Sequence, residues 1–418
     1  MILANGIVHP AEAQAAILAE LPRKLCETLA AGAPDPEAVI HVLDAMGRRI
    51  LNGDFDTWIT VPELRAQLAQ AGRSLERDVL QRKLETELGG MPDRPSNGIS
   101  PAVRRMPLGV LLHIAAGNMD ALPAWSVIEG LLAGNINLLK LPQADSGLTI
   151  AFFRELISME PKLRDFIYVF DTPSTDLEGM QMLADCADGI AVWGGDAAVS
   201  ALRRMAKPGC RLIEWGHKLG FCYLSGDPPE EVLRDLAVHI ISTRQLLCSS
   251  CQVIYLDTDS TAKITAFARR FLPVLEKAAD RFPVRELRAK AELTLRRYTA
   301  ELEQAMGTAT SQCFLPGRGC SITVCADNAL ELSPMYGSVL VKALPQDQII
   351  PVLREKKGYL QTAGLWCPDE LREKLTERLL RSGVCRVLPP GRMSEAFPGE
   401  SHDGSYALVQ YSRITNIL

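Results

Sequence analysis

The chain has 418 residues, of which 47% are hydrophobic and 23% are charged, and its formal net charge is −5. This length exceeds one ordinary hydrophobic core and predicts a globular protein of two or three domains. With 45 basic and 50 acidic residues and no run of lysine or arginine, the sequence does not suggest a nucleic-acid-binding protein.

The sequence also bears on where the protein works. No stretch approaches the roughly 18 uninterrupted apolar residues that a membrane helix needs. The amino terminus lacks the charged-then-apolar order of a signal peptide. Eleven cysteines in so long a chain do not resemble a disulfide framework. We therefore predict a reduced, cytoplasmic protein with no membrane span.

Residues 11–90 are predicted to be helical. Apolar residues recur at three- and four-residue spacing over 11–29 and 36–51, and the pattern continues over 61–88. Glycine and proline in the stretch 89–98 end it.

From Met106 onward, short apolar runs alternate with helical segments. The predicted strands are 110–114, 136–141, 166–170, 190–193 and 211–213, and the predicted helices are 120–132, 146–158, 177–184 and 197–205. This alternation predicts β-α-β units, a parallel sheet with helices on both faces, and ligands at the carboxyl ends of its strands.

The stretch 226–230, Gly-Asp-Pro-Pro-Glu, is the clearest internal break, and a second α/β region follows it. The predicted helices there are 230–247, 261–277, 284–306, 347–354 and 369–381. The predicted strands are 253–256, 321–324, 339–341 and 359–362, and the chain closes with Arg-Val-Leu at 386–388, a Pro-Pro-Gly turn and a last strand at 406–411.

Cys248 is the first candidate for a reactive group. It lies between a predicted helix and a predicted strand, among small residues, where a side chain can reach a cleft and a thiolate can act as a nucleophile. The alternative is a buried structural cysteine.

Cys248 and Cys251 also form a C-x-x-C pair, but a zinc site needs a second such pair or closely spaced histidines. A thioredoxin-like pair is expected in a much smaller domain. We therefore predict no metal site.

Five residues near predicted strand ends of the first α/β region could also carry chemistry. Asn118 could stabilise an oxyanion or simply cap a helix. Lys140 could bind a ribose or phosphate, or face solvent. Gly194 and Gly195 precede a helix and could bind a pyrophosphate, although G-x-G-x-x-G is absent and a tight turn without a ligand fits equally well. Glu214 interrupts an apolar run and could act as a base, unless it pairs with an arginine.

These segments, in this order and followed by a cysteine, resemble the aldehyde dehydrogenase superfamily. The interval of 34 residues between Glu214 and Cys248 fits that superfamily. Within it, the segment Cys248-Ser-Ser-Cys-Gln252 is similar to the Cys-Ser-Ser-Pro-Gln segment of LuxC-type fatty acyl-CoA reductases, with Cys251 in place of proline. Arg-Val-Leu-Pro-Pro-Gly at 386–391 and His-Asp-Gly at 402–404 resemble that family's C-terminal pattern.

The resemblance implies an α/β organisation in four parts. Residues 1–105 would be a helical region attached to the cofactor domain, and 106–226 would be the nicotinamide cofactor domain. Residues 227–388 would be the catalytic domain, and 389–418 would return to the cofactor domain or to an oligomer sheet. For the helical N-terminal region itself, the interpretation is a cap or an acyl-chain-binding element.

The resemblance also implies roles for the candidate residues. Cys248 would attack a thioester carbonyl, Asn118 and the Cys248 N–H would hold the oxyanion, and a nicotinamide hydride would then release an aldehyde. Glu214 would be the base or proton shuttle, and Lys140 would bind the adenosine ribose or its phosphate. The cofactor phosphates would lie at Gly194 and Gly195.

Three departures from the superfamily pattern shape the prediction. The stretch 333–338 lacks the second glutamate and the Phe-Gly-Pro segment of the oxidising members, which favours a CoA-thioester enzyme. Gln143 stands where NAD-preferring members often carry glutamate, so we expect NADPH, with NADH as the alternative. Cys251 suggests the hypothesis of an inactivating Cys248–Cys251 disulfide.

The sequence thus predicts NAD(P)H-dependent reduction of an acyl-CoA, or another acyl thioester, to an aldehyde. One alternative is NAD(P)-dependent aldehyde oxidation through the same cysteine, and another is a non-catalytic subunit that channels acyl groups. The resemblance further implies a homo-oligomer formed by strand exchange, with 406–411 as an edge, and leaves room for an acyl-transfer partner. The acyl length and the choice between CoA and a carrier protein stay open.

Overall fold

The computed structural model describes residues 1–58, 62–89, 102–115, 122–143, 145–308, 313–397 and 399–417. The chain divides into two compact units, one made of Met1–Gly216 with Phe397–Leu418 and the other of His217–Ala396. This division falls before the strand Leu219–Leu224, whereas the sequence analysis placed the break after it, at Gly226, because that strand was not predicted.

The first unit contains a seven-stranded sheet flanked by helices. Its strands and the neighbouring β3 are β1 (Ile2–Ala4), β2 (Ile7–His9), β3 (Ala102–Pro107), β4 (Val110–Ile114), β5 (Ile136–Lys140), β6 (Ile167–Phe170), β7 (Gly189–Trp193) and β8 (Arg211–Trp215). Its helices are α1 (Gln14–Ala31), α2 (Pro36–Leu51), α3 (Pro62–Ser74), α4 (Arg77–Leu88), α5 (Leu122–Leu132), α6 (Leu148–Met159), α7 (Leu177–Asp185) and α8 (Asp196–Met205).

The strand order of this sheet is β2-β1-β6-β5-β4-β7-β8. β6, β5, β4, β7 and β8 run parallel, and β1 is antiparallel to both of its neighbours. The chain steps from β4 outward to β5 and β6, and then returns to the other side of β4 for β7 and β8. This reversal places the topological switch point between β4 and β7, where open α/β sheets bind ligands outside the carboxyl ends of the strands.

The second unit contains another seven-stranded sheet. Its strands are β9 (Leu219–Leu224), β10 (Cys251–Leu256), β11 (Cys313–Pro316), β12 (Ser321–Val324), β13 (Ser338–Ala343), β14 (Leu360–Trp366) and β15 (Arg386–Leu388), in the order β11-β12-β13-β10-β9-β14-β15. Its helices are α9 (Glu230–Ser242), α10 (Thr261–Arg281), α11 (Leu287–Met306), α12 (Ile349–Arg354) and α13 (Asp369–Ser382). The described strand pairs are parallel except β11–β12. The two sheets and their helices confirm the predicted α/β class.

The predicted last strand, 406–411, is wrong. A short helix, α14 (Ala407–Gln410), occupies most of it, and the strand β16 (Ser412–Ile417) follows and pairs antiparallel with β3. The buried residues Ala407, Leu408 and Tyr411 recur at helical rather than alternating spacing, which explains the difference.

The predicted helix over 61–88 is two helices, α3 and α4, with a turn between them. α2 has the predicted bounds. It begins after Asp35, whose side chain accepts a hydrogen bond from the Glu37 N–H, and Pro36 occupies its first position. None of the helices in the described ranges is long and apolar enough to cross a membrane.

Candidate active site

Cys248 lies on a turn just before β10, at the amino end of that strand. The Ser250 N–H donates to the Leu247 carbonyl oxygen (3.0 Å), and the Leu247 N–H donates to Ser250 Oγ (3.1 Å). These two bonds close a tight turn in which Cys248 is the second residue. Cys248 is exposed, so its thiol is accessible and is not part of a hydrophobic core.

The backbone that leads into this turn is strained. α9 ends at Ser242, earlier than predicted, because Arg244 (φ 53°) and Gln245 (φ 60°) take left-handed conformations. Such conformations cost of order 1–3 kcal/mol for each non-glycine residue and persist only where surrounding contacts hold them. The contacts of Gln245 provide that support.

The Gln245 side chain is buried and forms hydrogen bonds at both ends of its amide. Its Nε2 donates to the Cys251 carbonyl oxygen (2.9 Å) and to Ser333 Oγ (2.9 Å). Its Oε1 accepts from the Gly337 N–H (3.0 Å). One amide thus joins the strained segment, the start of β10 and the loop before β13.

Gln252 forms the second half of this network. Its Nε2 donates to the Gln245 carbonyl oxygen (2.8 Å), and its Oε1 accepts from Ser333 Oγ (2.8 Å). The Tyr336 N–H also donates to the Arg244 carbonyl oxygen (2.9 Å). The loop that holds Ser333 and Tyr336 is the one in which the superfamily's second glutamate is missing, and in this chain it supports the cysteine segment.

Gly220 on β9 lies directly against the cysteine turn. A Cβ at this position would lie 2.6 Å from the carbonyl oxygen of Ser250 and 2.8 Å from that of Ser249, so only glycine permits the close approach. On another side, the Ser249 hydroxyl oxygen lies 2.7 Å from that of Ser394. The turn is therefore fixed by backbone packing as well as by hydrogen bonds.

Cys251 differs sharply from Cys248 in its surroundings. Its side chain is fully buried in the hydrophobic core that also contains Cys222 and Ile254. Burial raises the pKa of the Cys251 thiol, which disfavours the thiolate that disulfide exchange requires. This burial argues against the hypothesis of a Cys248–Cys251 disulfide.

His239 lies on α9, one turn before the strained segment. Its ring is buried, its Nε2 has no hydrogen-bond partner, and burial lowers its pKa to about 4. Its carbonyl oxygen accepts from both the N–H (3.2 Å) and the hydroxyl (2.8 Å) of Thr243. The ring is therefore neutral at ordinary pH, and the Thr243 bonds close the end of the helix.

Lys140 and Gln143, both predicted to bind cofactor, follow β5 in the first unit. Lys140 is buried at the carboxyl end of the strand, and its Nζ donates to Ser174 Oγ (3.0 Å). Burial lowers the pKa of Lys140, and the nearby Asp171 carboxylate partly offsets this effect. Lys140 is not a solvated lysine, which was the alternative interpretation of the sequence. Gln143 is exposed.

Gly194 and Gly195 follow β7, next to the switch point. Gly195 is the N-cap of α8, and a Cβ at Gly195 would meet no atom within 4 Å, so the backbone there has open space around it. The first turn of α8 also contains the exposed Asp196, whose carboxylate adds a negative charge to the helix amino terminus.

Glu214, the predicted base, lies on β8 and pairs with an arginine. Arg203 on α8 donates to both carboxylate oxygens, from Nε (2.5 Å) and Nη2 (2.7 Å). The pair is partly exposed, since 63% of the Arg203 side chain and 29% of the Glu214 side chain are accessible. The arginine pairing weighed in the sequence analysis is thus present. Asn118 lies outside the described residues.

Aromatic rings that the sequence analysis did not assign surround the ends of β7 and β8. Trp193 and Trp215 stack with their centroids 5.4 Å apart, and the exposed His402 lies edge-on to both, at 5.1 and 5.2 Å. Trp193 Nε1 donates to Ser126 on α5 (2.9 Å). The sequence signal that could have indicated this aromatic cluster is the tryptophan directly before Gly194 together with the one directly after Glu214.

The candidate residues fall into two groups. Lys140, Gly194 and Gly195 lie at carboxyl ends of strands in one sheet, as predicted, and Glu214 lies on the edge strand of that sheet. Cys248 belongs to the second unit, together with the amide network that the sequence analysis missed. Within the described residues, no group of three or more His, Cys, Asp or Glu side chains could hold a metal ion.

Comparison with solved structures gives the fold. The chain is similar to a betaine aldehyde dehydrogenase of Staphylococcus aureus solved in complex with NAD⁺, with 14% identity, a TM-score of 0.70, and coverage of 96% of this chain and 86% of that one. It is also similar to a lactaldehyde dehydrogenase, with 13% identity, a TM-score of 0.69, and coverage of 98% and 91%. At these identities the similarity establishes an aldehyde dehydrogenase-like fold.

Comparison with known sequences gives the family. The chain is 24% identical over 323 residues to a long-chain acyl-protein thioester reductase of Aliivibrio fischeri, covering 74% of this chain and 64% of that protein. It thus spans a little under two thirds of the length of the first curated relatives it matches. Residues 33–414 match the family described as acyl-CoA reductase (LuxC). The resemblance indicated by the sequence motifs is therefore confirmed, and the chain belongs to the LuxC family of acyl-CoA reductases.

Proposed function

We propose that the protein reduces an acyl thioester to an aldehyde, with NADPH as the hydride donor and Cys248 as the nucleophile. The observation that carries this proposal is the exposed cysteine on a turn held by two buried glutamine amides and packed against Gly220. A nucleophile must reach its substrate and also be held in one geometry, and this arrangement meets both needs.

The proposed reaction balances as follows. The Cys248 thiolate attacks the thioester carbonyl carbon, the new C–Sγ bond forms, and the carbon–sulfur bond to the donor breaks, so that the donor leaves as a thiol after gaining a proton. A nicotinamide cofactor, when bound, supplies a hydride to the acyl carbon. The C–Sγ bond then breaks, which releases the aldehyde and restores the Cys248 thiolate. The cysteine is neither oxidised nor reduced over the cycle.

The first unit offers residues that fit a nicotinamide cofactor. Gly195 has open space around it at the amino terminus of α8, and Lys140 presents a buried ammonium at the carboxyl end of β5. Both lie in the sheet whose switch point is between β4 and β7, the position where α/β sheets bind dinucleotides. We propose that Gly194 and Gly195 hold the phosphates and that Lys140 holds the adenosine ribose. The NAD⁺ bound by the Staphylococcus relative supports the cofactor class.

The choice of NADPH rests on Gln143. It is exposed and uncharged, so it does not repel a 2′-phosphate as a carboxylate would. A Gln143→Glu variant should therefore lose kcat/KM with NADPH and keep it with NADH. Equal losses with both cofactors would remove Gln143 from the cofactor site.

Glu214 and Asn118 keep their proposed roles, as proton shuttle and oxyanion donor. The bidentate pair with Arg203 means that the Glu214 carboxylate is already hydrogen-bonded, so proton transfer would require Arg203 to give up at least one bond. Glu214→Gln should lower kcat and change its pH profile, whereas loss of a structural ion pair alone would leave that profile unchanged.

The acyl donor is either CoA or a protein. The family description names acyl-CoA, and the Aliivibrio relative is named for an acyl-protein thioester. Both donors present a thioester to the same nucleophile, so reaction rates with acyl-CoA and with an acylated carrier protein, measured at equal concentrations, distinguish them.

We also propose that the protein is a cytoplasmic homo-oligomer. No disulfide occurs among the eleven cysteines, which supports a reducing compartment. The β3–β16 ribbon exposes Met106, Ile414 and Ile417, which supports an intersubunit contact. Light scattering on the wild type and on Ile414→Glu tests the oligomer. If Ile414→Glu has the same oligomeric mass as the wild type, the subunit contact lies elsewhere. If the wild type itself is a monomer, the proposed oligomer is refuted.

Intact mass spectrometry after mixing the protein with acyl-CoAs, without cofactor, tests the central proposal. We expect a gain of one acyl group in the wild type, its absence in Cys248→Ala, and its release as aldehyde when NADPH is added. Cys26→Ala is the matched control, because Cys26 is also exposed but lies on α1. If the protein reacts with neither acyl-CoA nor an acyl carrier protein, and does not oxidise an aldehyde with NADP⁺, the catalytic assignment is refuted.

A further inference from the structure

A half-open apolar cavity of about 230 Å³ lies in the first unit, among α2, α3, α5 and α6. Its lining includes the buried residues Ile50, Ile128 and Phe152, and the rings of Phe55 and Phe152 lie 6.3 Å apart. The helices that enclose it include part of the N-terminal region that the sequence analysis interpreted as a cap or an acyl-chain-binding element.

Two polar side chains of the lining, Thr149 and Ser74, already form hydrogen bonds. The Thr149 hydroxyl donates to Asp145 (2.8 Å), and the Ser74 hydroxyl donates to the Gln70 carbonyl oxygen (3.1 Å). Among the residues that the structure describes, the lining contains no charged side chain. The cavity therefore suits an uncharged aliphatic group and disfavours a polar or ionised one, which would lose its hydration without compensation.

The size of the cavity sets the length of the group. An apolar cavity of about 150 Å³ stays dry and binds benzene, a molecule of six carbons. In proportion, about 230 Å³ accommodates about nine carbons. A void of this size also lowers stability while it is empty, because the lining side chains lose their packing partners.

The cavity lies next to the start of α5. Leu122, the first residue of that helix, and Trp125 both line it. Asn118, the proposed oxyanion donor, is only four residues earlier in the sequence. In the sequence, therefore, the proposed oxyanion donor belongs to the segment that leads directly into a helix lining the cavity.

We infer that this cavity binds the hydrocarbon tail of the acyl substrate and favours a medium-length chain of about nine carbons. This inference rests on the proposed acyl-thioester reduction and adds the substrate's chain length to it. Each methylene that enters the cavity should raise kcat/KM about fourfold until the cavity is full. Longer chains should bring no further gain.

Filling the cavity should shorten the preferred chain. Ala71 and Ala124 line it with small side chains, so Ala71→Leu and Ala124→Leu should each move the optimum two or three carbons shorter. For nine-carbon chains kcat/KM should fall at least tenfold. Ala69→Leu is the matched control for Ala71→Leu, because Ala69 also lies on α3 and does not line the cavity. Phe152→Leu enlarges the cavity and should move the optimum longer.

A binding measurement separates this inference from the catalytic proposal. Trp125 lines the cavity, so 9-bromononanoic acid should quench its fluorescence, and quenching should weaken in Ala71→Leu and Ala124→Leu and persist in Ala69→Leu. The Trp125→Phe variant identifies the emission of this residue among the five tryptophans.

Two outcomes would overturn one idea and leave the other intact. If Ala71→Leu and Ala124→Leu both keep the wild-type dependence of kcat/KM on chain length while Cys248 is acylated normally, the assignment of the cavity to the acyl tail is refuted. Quenching at Trp125 without acylation by any thioester would refute the catalytic proposal and retain an aliphatic binding site.

Discussion

Both units bury side-chain amides, but they use them differently. In the first unit, Asn137 lies on β5, where its Oδ1 is 3.0 Å from His113 Nε2 and its Nδ2 donates to the Asn135 carbonyl oxygen (2.8 Å). In the second unit, the Gln245 and Gln252 amides hold a segment with left-handed backbone next to the candidate nucleophile. The first set joins regular elements, and the second maintains a strained one.

The hydrogen-bond geometry of the first unit also assigns the His113 tautomer. The Asn137 Oδ1 can only accept, so His113 Nε2 carries the proton, and Nδ1 accepts from the Ser126 hydroxyl (2.7 Å). Burial lowers the pKa of His113 to about 4, which keeps the ring neutral and this tautomer in place. The hydrogen bonds of the first network therefore join elements of the folded core. Their loss should lower the unfolding free energy and leave the acylation rate nearly unchanged.

The largest effect on activity is expected for Gln245→Leu, which tests the claim that the second network serves the active site. The substitution leaves the Cys251 carbonyl and the Gly337 N–H without their partner, which should cost about 2 kcal/mol in unfolding free energy. Displacement of the cysteine turn should also slow acylation about 100-fold. Stopped-flow acylation and urea unfolding measure the two effects.

Asn137→Leu is the matched variant for that experiment. It should lose a similar unfolding free energy while acylating at nearly the wild-type rate. If the two variants acylate equally fast, the proposed difference between the networks does not exist.

The largest effect on stability alone is expected at an ion cluster of the first unit. Lys83 Nζ contacts the buried carboxylates of Glu87 (2.5 Å) and Glu129 (2.8 Å). Lys83→Met should lower the unfolding free energy by about 3–5 kcal/mol, because two buried charges lose their partner. Adding Glu87→Gln and Glu129→Gln to this variant should recover part of the loss, and chemical denaturation checks both. A loss below about 1 kcal/mol would mean that water already solvates the carboxylates.

The buried histidines predict a pH dependence, with one in each unit. His113 and His239 have folded-state pKa values lowered to about 4, below the unfolded value of about 6.5. The unfolded chain therefore takes up protons first, so stability is complete above about pH 6.5 and falls as the pH drops towards 4. Each histidine should contribute up to about 3 kcal/mol.

Urea titrations at pH 7.0 and 4.5 measure this change. His239→Leu should flatten the dependence for the second unit and leave that of the first unit as it was. A slope that persists in full after this substitution would assign the effect to other groups.

The smallest effect is expected for Arg203→Gln. This pair is partly exposed, so its loss should change the unfolding free energy little. If Glu214 shuttles protons, however, the same change should alter the pH profile of kcat, because the carboxylate loses two donors. An unaltered profile would indicate that Glu214 is only an ion-pair partner.

The regular elements were largely predictable from local pattern. α2 and β4 have the predicted bounds because their apolar spacing and capping residues are local signals. The three-residue strands β1 and β2 were not predicted, because a run so short carries no periodicity. The end of α9 was placed too late, since the apolar Leu246 and Leu247 continue the helical pattern although the backbone has already turned at Arg244.

The site was predictable in its nucleophile and not in its support. Small residues around Cys248 indicated an accessible thiol, and the structure places it on an exposed turn. The partners of Gln245 and Gln252 lie 81–93 residues away at Ser333 and Ser338, and no local pattern can pair residues over such distances. The need for glycine at Gly220 was likewise not predictable, because it depends on the close approach of the Ser249 and Ser250 carbonyl oxygens.

The discontinuity of the first unit has a consequence for biosynthesis. Residues 217–396 form one continuous unit, so it can begin folding as soon as they leave the ribosome. β3 (Ala102–Pro107), by contrast, has its described partner only in Ser412–Ile417. At common translation rates of 5–20 residues per second, the ribosome needs roughly 10–40 seconds to add the intervening second unit. During that interval β3 lacks its described partner, and an unpaired strand edge of this kind can pair with other chains.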